Sequence, residues 1–137
     1  MRPAHNRACL RPPMKPTKPQ SPPAPRATTA KPPAKRRILL VDDHPMTRMG
    51  LAESINRRAD LTVCGEAGTP AEAIAMLAKL KPDLLLTDMT MPGRTGLEFL
   101  KDVHAMMPRL PMLVLSMHDE MIYAERALRA GARAYLM

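Results

Sequence analysis

Four residues stand directly after short apolar runs: Val41 leads into the acid pair Asp42-Asp43, Leu86 and Thr87 lead into Asp88, and Leu115 leads into Ser116. If those runs are neighbouring parallel strands, their ends share one sheet edge about 4.8 Å apart, and the acids come into contact there. Two carboxylates about 4 Å apart repel by roughly 4 kcal/mol at an effective dielectric near 20. A hard divalent cation relieves that repulsion, and an oxygen donor set with several retained waters favours Mg²⁺. The same site neutralises an incoming phosphoryl group, and a carboxylate can act as the covalent nucleophile to give an aspartyl phosphate. Taken singly, each residue is equally well read as a turn former or a helix cap. Three strands ending this way, with adjacent acids on the first, exceed what caps require.

The elements that must deliver these groups are legible in the apolar pattern. From Arg37 onward short apolar runs alternate with helical periodicity, the signature of a parallel sheet covered by helices. Strands are expected at Ile38–Val41, Leu61–Glu66, Leu84–Leu86, Met112–Leu115 and Ala134–Met137. Pro45 suits the first turn of a helix through Met49, Leu51, Ala52 and Ile55. A second helix, Pro70–Leu80, carries Ala73, Ile74, Leu77 and Leu80 on one face and ends at Pro82. A third spans Leu97–Met107, and Asp119 can cap a fourth running to Ala130, with Gly131 in the left-handed position that closes it.

The segments ILLVDDHPMTRMGL, PDLLLTDMTMPGRTGLEFL, VLSMHDE and ALRAGARAYLM resemble, in sequence, order and spacing, the bacterial response-regulator receiver domain of two-component systems, specifically its NarL-like subfamily. The resemblance covers residues 37–137. It implies a flavodoxin-like, doubly wound five-stranded parallel α/β sheet with helices on both faces. It also implies a phosphorylation-dependent switch, not an enzyme, that accepts a phosphoryl group from a histidine kinase. Asp88 would be the acceptor, while Asp42, Asp43, Asp88 and the main-chain carbonyl of Thr90 would hold Mg²⁺. Ser116 would contact a phosphoryl oxygen, and Tyr135 would be the switch aromatic, although an aromatic in a terminal strand is equally ordinary packing. Met117 is bulkier than the residue many receivers place there and is expected to narrow access to Asp88. Met91-Pro92-Gly93 resembles the family's rigid turn beside the acceptor, where glycine permits unusual backbone angles.

His104 and His118 invite a phosphotransfer reading, but isolated surface histidines are the commoner case. The family's conserved lysine should follow Met137, where the sequence ends, as should a fifth helix and a DNA-binding output domain. The sequence is therefore read as a C-terminally incomplete receiver domain over residues 36–137, a fragment or truncated product of a transcription regulator. Without the lysine and fifth helix it is expected to be a poor switch with an exposed apolar sheet face. Two rival readings stay open: an interaction module that keeps the fold without phosphorylation, and a Mg²⁺-dependent phosphatase-type α/β enzyme. The latter's haloacid-dehalogenase pattern, DxDxT, does not match Asp42-Asp43-His44.

The net charge of +8 is not a property of the domain. Residues 1–37 hold ten lysines and arginines and no acid, while the remaining residues hold 11 basic against 13 acidic side chains. Ten prolines within the first 35 residues leave little to bury, so this stretch is expected to be disordered, locally polyproline-like and capable of weak, salt-sensitive contact with nucleic acid. Those prolines also argue against a mitochondrial-type amphipathic presequence. Cys9 and Cys64 fit neither a disulfide framework nor a zinc site. No apolar run approaches the roughly 20 residues of a membrane span. A cytoplasmic protein is expected, with homodimerisation left open.

Overall fold

Leu39, Leu40 and Val41 are fully enclosed because β1 lies inside the sheet with helices packed against both of its faces, so successive side chains meet apolar neighbours on either side. The computed structural model describes residues 34–117 and 121–137. Its elements are β1 Arg36–Val41, α1 Pro45–Asn56, β2 Leu61–Ala67, α2 Pro70–Leu80, β3 Leu84–Asp88, α3 Gly96–Met106, β4 Met112–Leu115, α4 Met121–Arg129 and β5 Ala134–Leu136. All five strands are parallel, in the order β2-β1-β3-β4-β5. This is the flavodoxin-like order, with a topological switch point between β1 and β3. One connection leaves β1 toward β2 and the next leaves β3 toward β4, which opens a crevice above the carboxyl ends of the two central strands.

The sheet separates two apolar layers. On one face Leu39, Val41, Leu85, Met112 and Val114 pack with Leu77 of α2, Phe99, Leu100 and Val103 of α3, and Ala127 of α4. On the other, Ile38, Leu40 and Leu86 pack with Ala52, Leu51 and Ile55 of α1. Leu113 and Leu115 are only partly buried on this second face, and neighbouring Leu136 is 48% exposed. Among the described residues, this second face is therefore less covered at β4 and β5.

Element boundaries fall within two residues of the pattern reading, and the shifts at β1 and α3 have a local cause. β1 begins at Arg36 because its ladder with β2 reaches Leu61. Helix α3 begins one residue early, at Gly96, because Thr95 and Glu98 form a reciprocal capping box. Thr69 caps α2 by accepting from the Glu72 N–H at 3.2 Å. At the other end of α2, Lys81 is a left-handed C-cap (φ 45°) whose N–H donates to the Leu77 carbonyl at 3.1 Å, and Pro82 follows where the helix cannot continue. Gly131 has φ 110°, as expected, and Gly93 has φ 98° in the turn before α3. Asp119 and His118, like the tail through residue 33, lie outside the described residues. Cys64 is a half-buried free thiol of β2, standing where the register with β1 shifts.

Candidate metal centre

The last residues of β1 and β3 bring the acids together. Asp42 follows Val41 and is buried, 5% exposed, with its backbone N–H donating to the Ala67 carbonyl of β2 at 3.1 Å. Asp88 ends β3, and Ser116, 4% exposed, follows β4, whose Leu115 pairs with Asp88. Ligand atoms of Asp42, Asp43, His44 and Asp88 all lie within 4.8 Å of one another. A cleft of about 250 Å³ above them is lined by Asp42, His44, Asp88, Ser116, Met117 and Met137, among others. A larger cleft, about 540 Å³ around Pro82 and Pro108, lies at the opposite end of the strands from this cluster.

Each acid is oriented by main chain. The Asp42 Oδ1 accepts from the His44 N–H at 2.7 Å, which closes the turn into α1 and serves that helix in place of a side-chain cap at His44. Arg48, one turn into α1, donates to the Asp42 carbonyl and places its Nε 3.5 Å from Glu66 Oε2. The Asp88 Oδ1 accepts from the Met89 N–H at 2.6 Å. Burial pushes the Asp88 carboxyl above its ordinary value; the N–H groups of Thr90 and Met89 pull it back, and the charges of Asp42 and Asp43 push it up further. Asp43 Oδ1 is a buried oxygen with no hydrogen-bond partner, a costly state for a carboxylate unless another charge meets it. Crowded acids with an orphaned oxygen and a raised Asp88 carboxyl fit a hard divalent cation, with Asp42, Asp43 and Asp88 as its natural donors.

Other residues singled out in the sequence fall into place less uniformly. Thr90 is exposed beside Asp88 and lines an adjoining cleft with Ser116, Tyr123 and Arg126. Tyr135 is half-buried, paired in register with Val114 and packed against the core. The Ser116 N–H donates to the Leu136 carbonyl at 2.9 Å, which ties the cluster to the residue after Tyr135. Met117 borders the cleft but is 100% exposed, so it stands at the mouth without plugging it. His104 sits in the last turn of α3 facing Gly131, whereas the acids adjoin the start of that helix. Arg48 and His44 were not singled out by the pattern reading, although His44 directly follows the acid pair and that adjacency was the available signal.

Gly96 fixes the loop that follows Asp88. A Cβ there would lie 2.5 Å from the Met89 carbonyl oxygen and 2.9 Å from its Cα, both backbone atoms that cannot rotate away. Gly96→Ala is expected to cost about 1 to 3 kcal/mol by overpacking, lowering the melting temperature by roughly 4 °C or more. It should also displace the Met89 N–H from Asp88. An unchanged melting temperature would show that the loop gives way freely.

The family profile described as response regulator receiver domain matches residues 38–137. The nitrate/nitrite response regulator protein NarL of Escherichia coli (strain K12) is 40% identical over 102 residues, covering 73% of this chain and 46% of that protein. The transcriptional regulatory protein YxjL of Bacillus subtilis (strain 168) is 39% identical over 103 residues, covering 75% of this chain and 47% of that protein. The chain thus spans about half the length of the curated relatives it matches. Among solved structures, the signal receiver domain of the response regulator NarL from Mycobacterium tuberculosis superimposes with a TM-score of 0.72 at 33% identity, covering 76% of this chain and 84% of that one.

Proposed function

Because the chain belongs to the response regulator receiver domain family, we propose that it is a phosphorylation switch of a two-component system with Asp88 as phosphoacceptor. The observation that carries this reading is the convergence of Asp42, Asp43 and Asp88 at the switch point, with the acceptor carboxyl held by the Met89 N–H. A carboxylate oxygen of Asp88 forms a bond to phosphorus as the donor's bond to phosphorus breaks. The departing group, the imidazole of a kinase phosphohistidine, keeps that electron pair. Mg²⁺, when bound, supplies the positive charge that lets a phosphoryl group approach three acids.

The chain's own residues do the rest. Asp42 and Asp43 would hold Mg²⁺ together with Asp88 and the Thr90 carbonyl. The Ser116 hydroxyl donates to a phosphoryl oxygen once the group is in place. The Ser116 N–H bond to Leu136 passes that engagement to β5, where Tyr135 changes its packing as the switch aromatic. The whole protein acts in the cytoplasm as a transcription regulator, with a histidine kinase as donor and DNA engaged through an output domain. Its basic tail adds weak, sequence-independent attraction to nucleic acid. Among the described residues no helix is long and apolar enough to cross a membrane.

Beryllofluoride, a phosphoryl mimic, tests the switch without a kinase. With Mg²⁺ it is expected to raise the melting temperature of the protein by several degrees, since a ligand at 100 times its Kd contributes about 2.7 kcal/mol. The rise should vanish in Asp88→Asn and shrink in Ser116→Ala. A rise of equal size in Asp88→Asn, or none in the unaltered chain, would exclude Asp88 as the acceptor and favour an interaction module that keeps only the fold.

A further inference from the structure

The acid cluster contains a nitrogen donor that the acceptor chemistry does not use. The His44 Nδ1 lies 3.0 Å from Asp43 Oδ1 and 3.3 Å from Asp42 Oδ1. The Nδ1 has hydrogen-bonding geometry toward Asp42, but Asp43 Oδ1 accepts no hydrogen bond despite the closer approach. A nitrogen and an orphaned oxygen at that separation are spaced like adjacent ligands of one ion. Donors at about 2.1 Å from an octahedral cation stand about 3.0 Å from each other around it. Position is also fixed: His44 is the N-cap residue of α1, and its N–H is bonded to the same Asp42 oxygen, so the ring starts from a constrained backbone. Its side chain remains 65% exposed, which leaves room for an ion with bound waters on the cleft side.

We propose that His44 is a cation-selecting residue, adding an imidazole nitrogen to the carboxylates so that this site binds nitrogen-accepting divalent ions such as Ni²⁺ more tightly, relative to Mg²⁺, than the acids alone would. The inference rests on the reading of Asp42, Asp43 and Asp88 as a divalent-cation site. Imidazole suits Ni²⁺ and Zn²⁺, whereas Mg²⁺ takes carboxylate, carbonyl and water oxygens. Losing the imidazole therefore takes a ligand from Ni²⁺ and little from Mg²⁺, which can replace it with water. The residue so sets which metal the pocket retains when several are present.

The test is calorimetric titration of the full chain and of His44→Ala and His44→Phe with Ni²⁺ alone and with Mg²⁺ alone, at pH 8. Both variants are expected to lose about tenfold or more in Ni²⁺ affinity while Mg²⁺ affinity stays within about twofold. Long-range nitrogen NMR with diamagnetic Zn²⁺ gives a second reading, in which the His44 Nδ1 resonance moves and the Nε2 resonance follows it less. Equal loss for both ions, or no loss of Ni²⁺ affinity, overturns the selectivity role. Zn²⁺ that leaves the Nδ1 resonance unmoved overturns ligation. If Asp43→Ala changes neither isotherm, the underlying acid site is what fails. A circular dichroism spectrum matching that of the unaltered chain certifies each variant as folded, and His44→Phe serves if His44→Ala disturbs the start of α1.

Discussion

Replacing Asp43 with alanine is expected to weaken Mg²⁺ binding by about thirtyfold or more and to raise the melting temperature of the metal-free protein. Both effects follow from one charge. The Asp43 Oδ1 is buried without a hydrogen-bond partner, beside Asp42 and within 4.8 Å of a ligand atom of Asp88. Without a cation it contributes repulsion toward Asp42 and Asp88; with one it contributes attraction. A unit charge about 4 Å away is worth from roughly 1 kcal/mol in bulk water to roughly 4 kcal/mol at an effective dielectric near 20. A loss of about 2 kcal/mol, inside that interval, is close to thirtyfold in affinity. Calorimetry that finds the same Mg²⁺ affinity in Asp43→Ala would remove this residue from the site.

A second large effect is expected in the metal-free protein at Asp88. Burial, opposed by the N–H groups of Thr90 and Met89 and reinforced by the Asp42 and Asp43 charges, raises this carboxyl in the folded state. A raised native pKa means that the folded chain binds the proton more tightly than the unfolded chain. Stability from this group is therefore fully present below the unfolded value of 3.8 and is lost as pH rises through the folded value. At neutral pH the ionised carboxylate is a net cost. Asp88→Asn, which keeps shape and removes charge, should melt a few degrees higher than the unaltered chain at pH 7, given about 4 to 8 °C per kcal/mol for a domain of this size. The gap should narrow as pH falls and should also narrow when Mg²⁺ is added. Thermal melts from pH 4 to pH 7 that show a constant gap, or a lower melting temperature for Asp88→Asn throughout, would mean that the pocket does not strain this charge.

The acid constellation is legible in the sequence because it depends on two robust rules: parallel strands end on one edge, and a side chain just past a strand sits at that edge. Asp42, Asp88 and Ser116 each follow an apolar run, and strand order alone then brings them together. The starts of α2 and α3 were readable to within a residue from Pro70 and the apolar spacing, although the capping threonines Thr69 and Thr95 were not part of that reading. Lys81 was less so, because its left-handed C-cap backbone carries no signal in its own residue type. Arg48 escaped notice because its contact with the Asp42 carbonyl depends on how the first turn of α1 leaves the sheet, which a spacing of six residues does not encode. His44 was visible as the neighbour of two acids, but only the turn closed by Asp42 Oδ1 puts its ring nitrogen among the carboxylates. Gly96 read simply as the residue before a helix; its closeness to Met89 is a tertiary fact.

Incubation with a small acyl phosphate and Mg²⁺, followed by borohydride trapping and peptide mass spectrometry, locates the phosphoryl group chemically. Hydride reduces an aspartyl phosphate at its acyl carbon, expelling phosphate and leaving homoserine at the modified position. Homoserine should be found at position 88, in a yield that depends on Mg²⁺, and should be absent from a parallel Asp88→Asn sample. Homoserine at Asp42 or Asp43 in place of Asp88, or no conversion in the unaltered chain while a known receiver domain is labelled under the same conditions, would contradict the assignment of Asp88 as the phosphoacceptor.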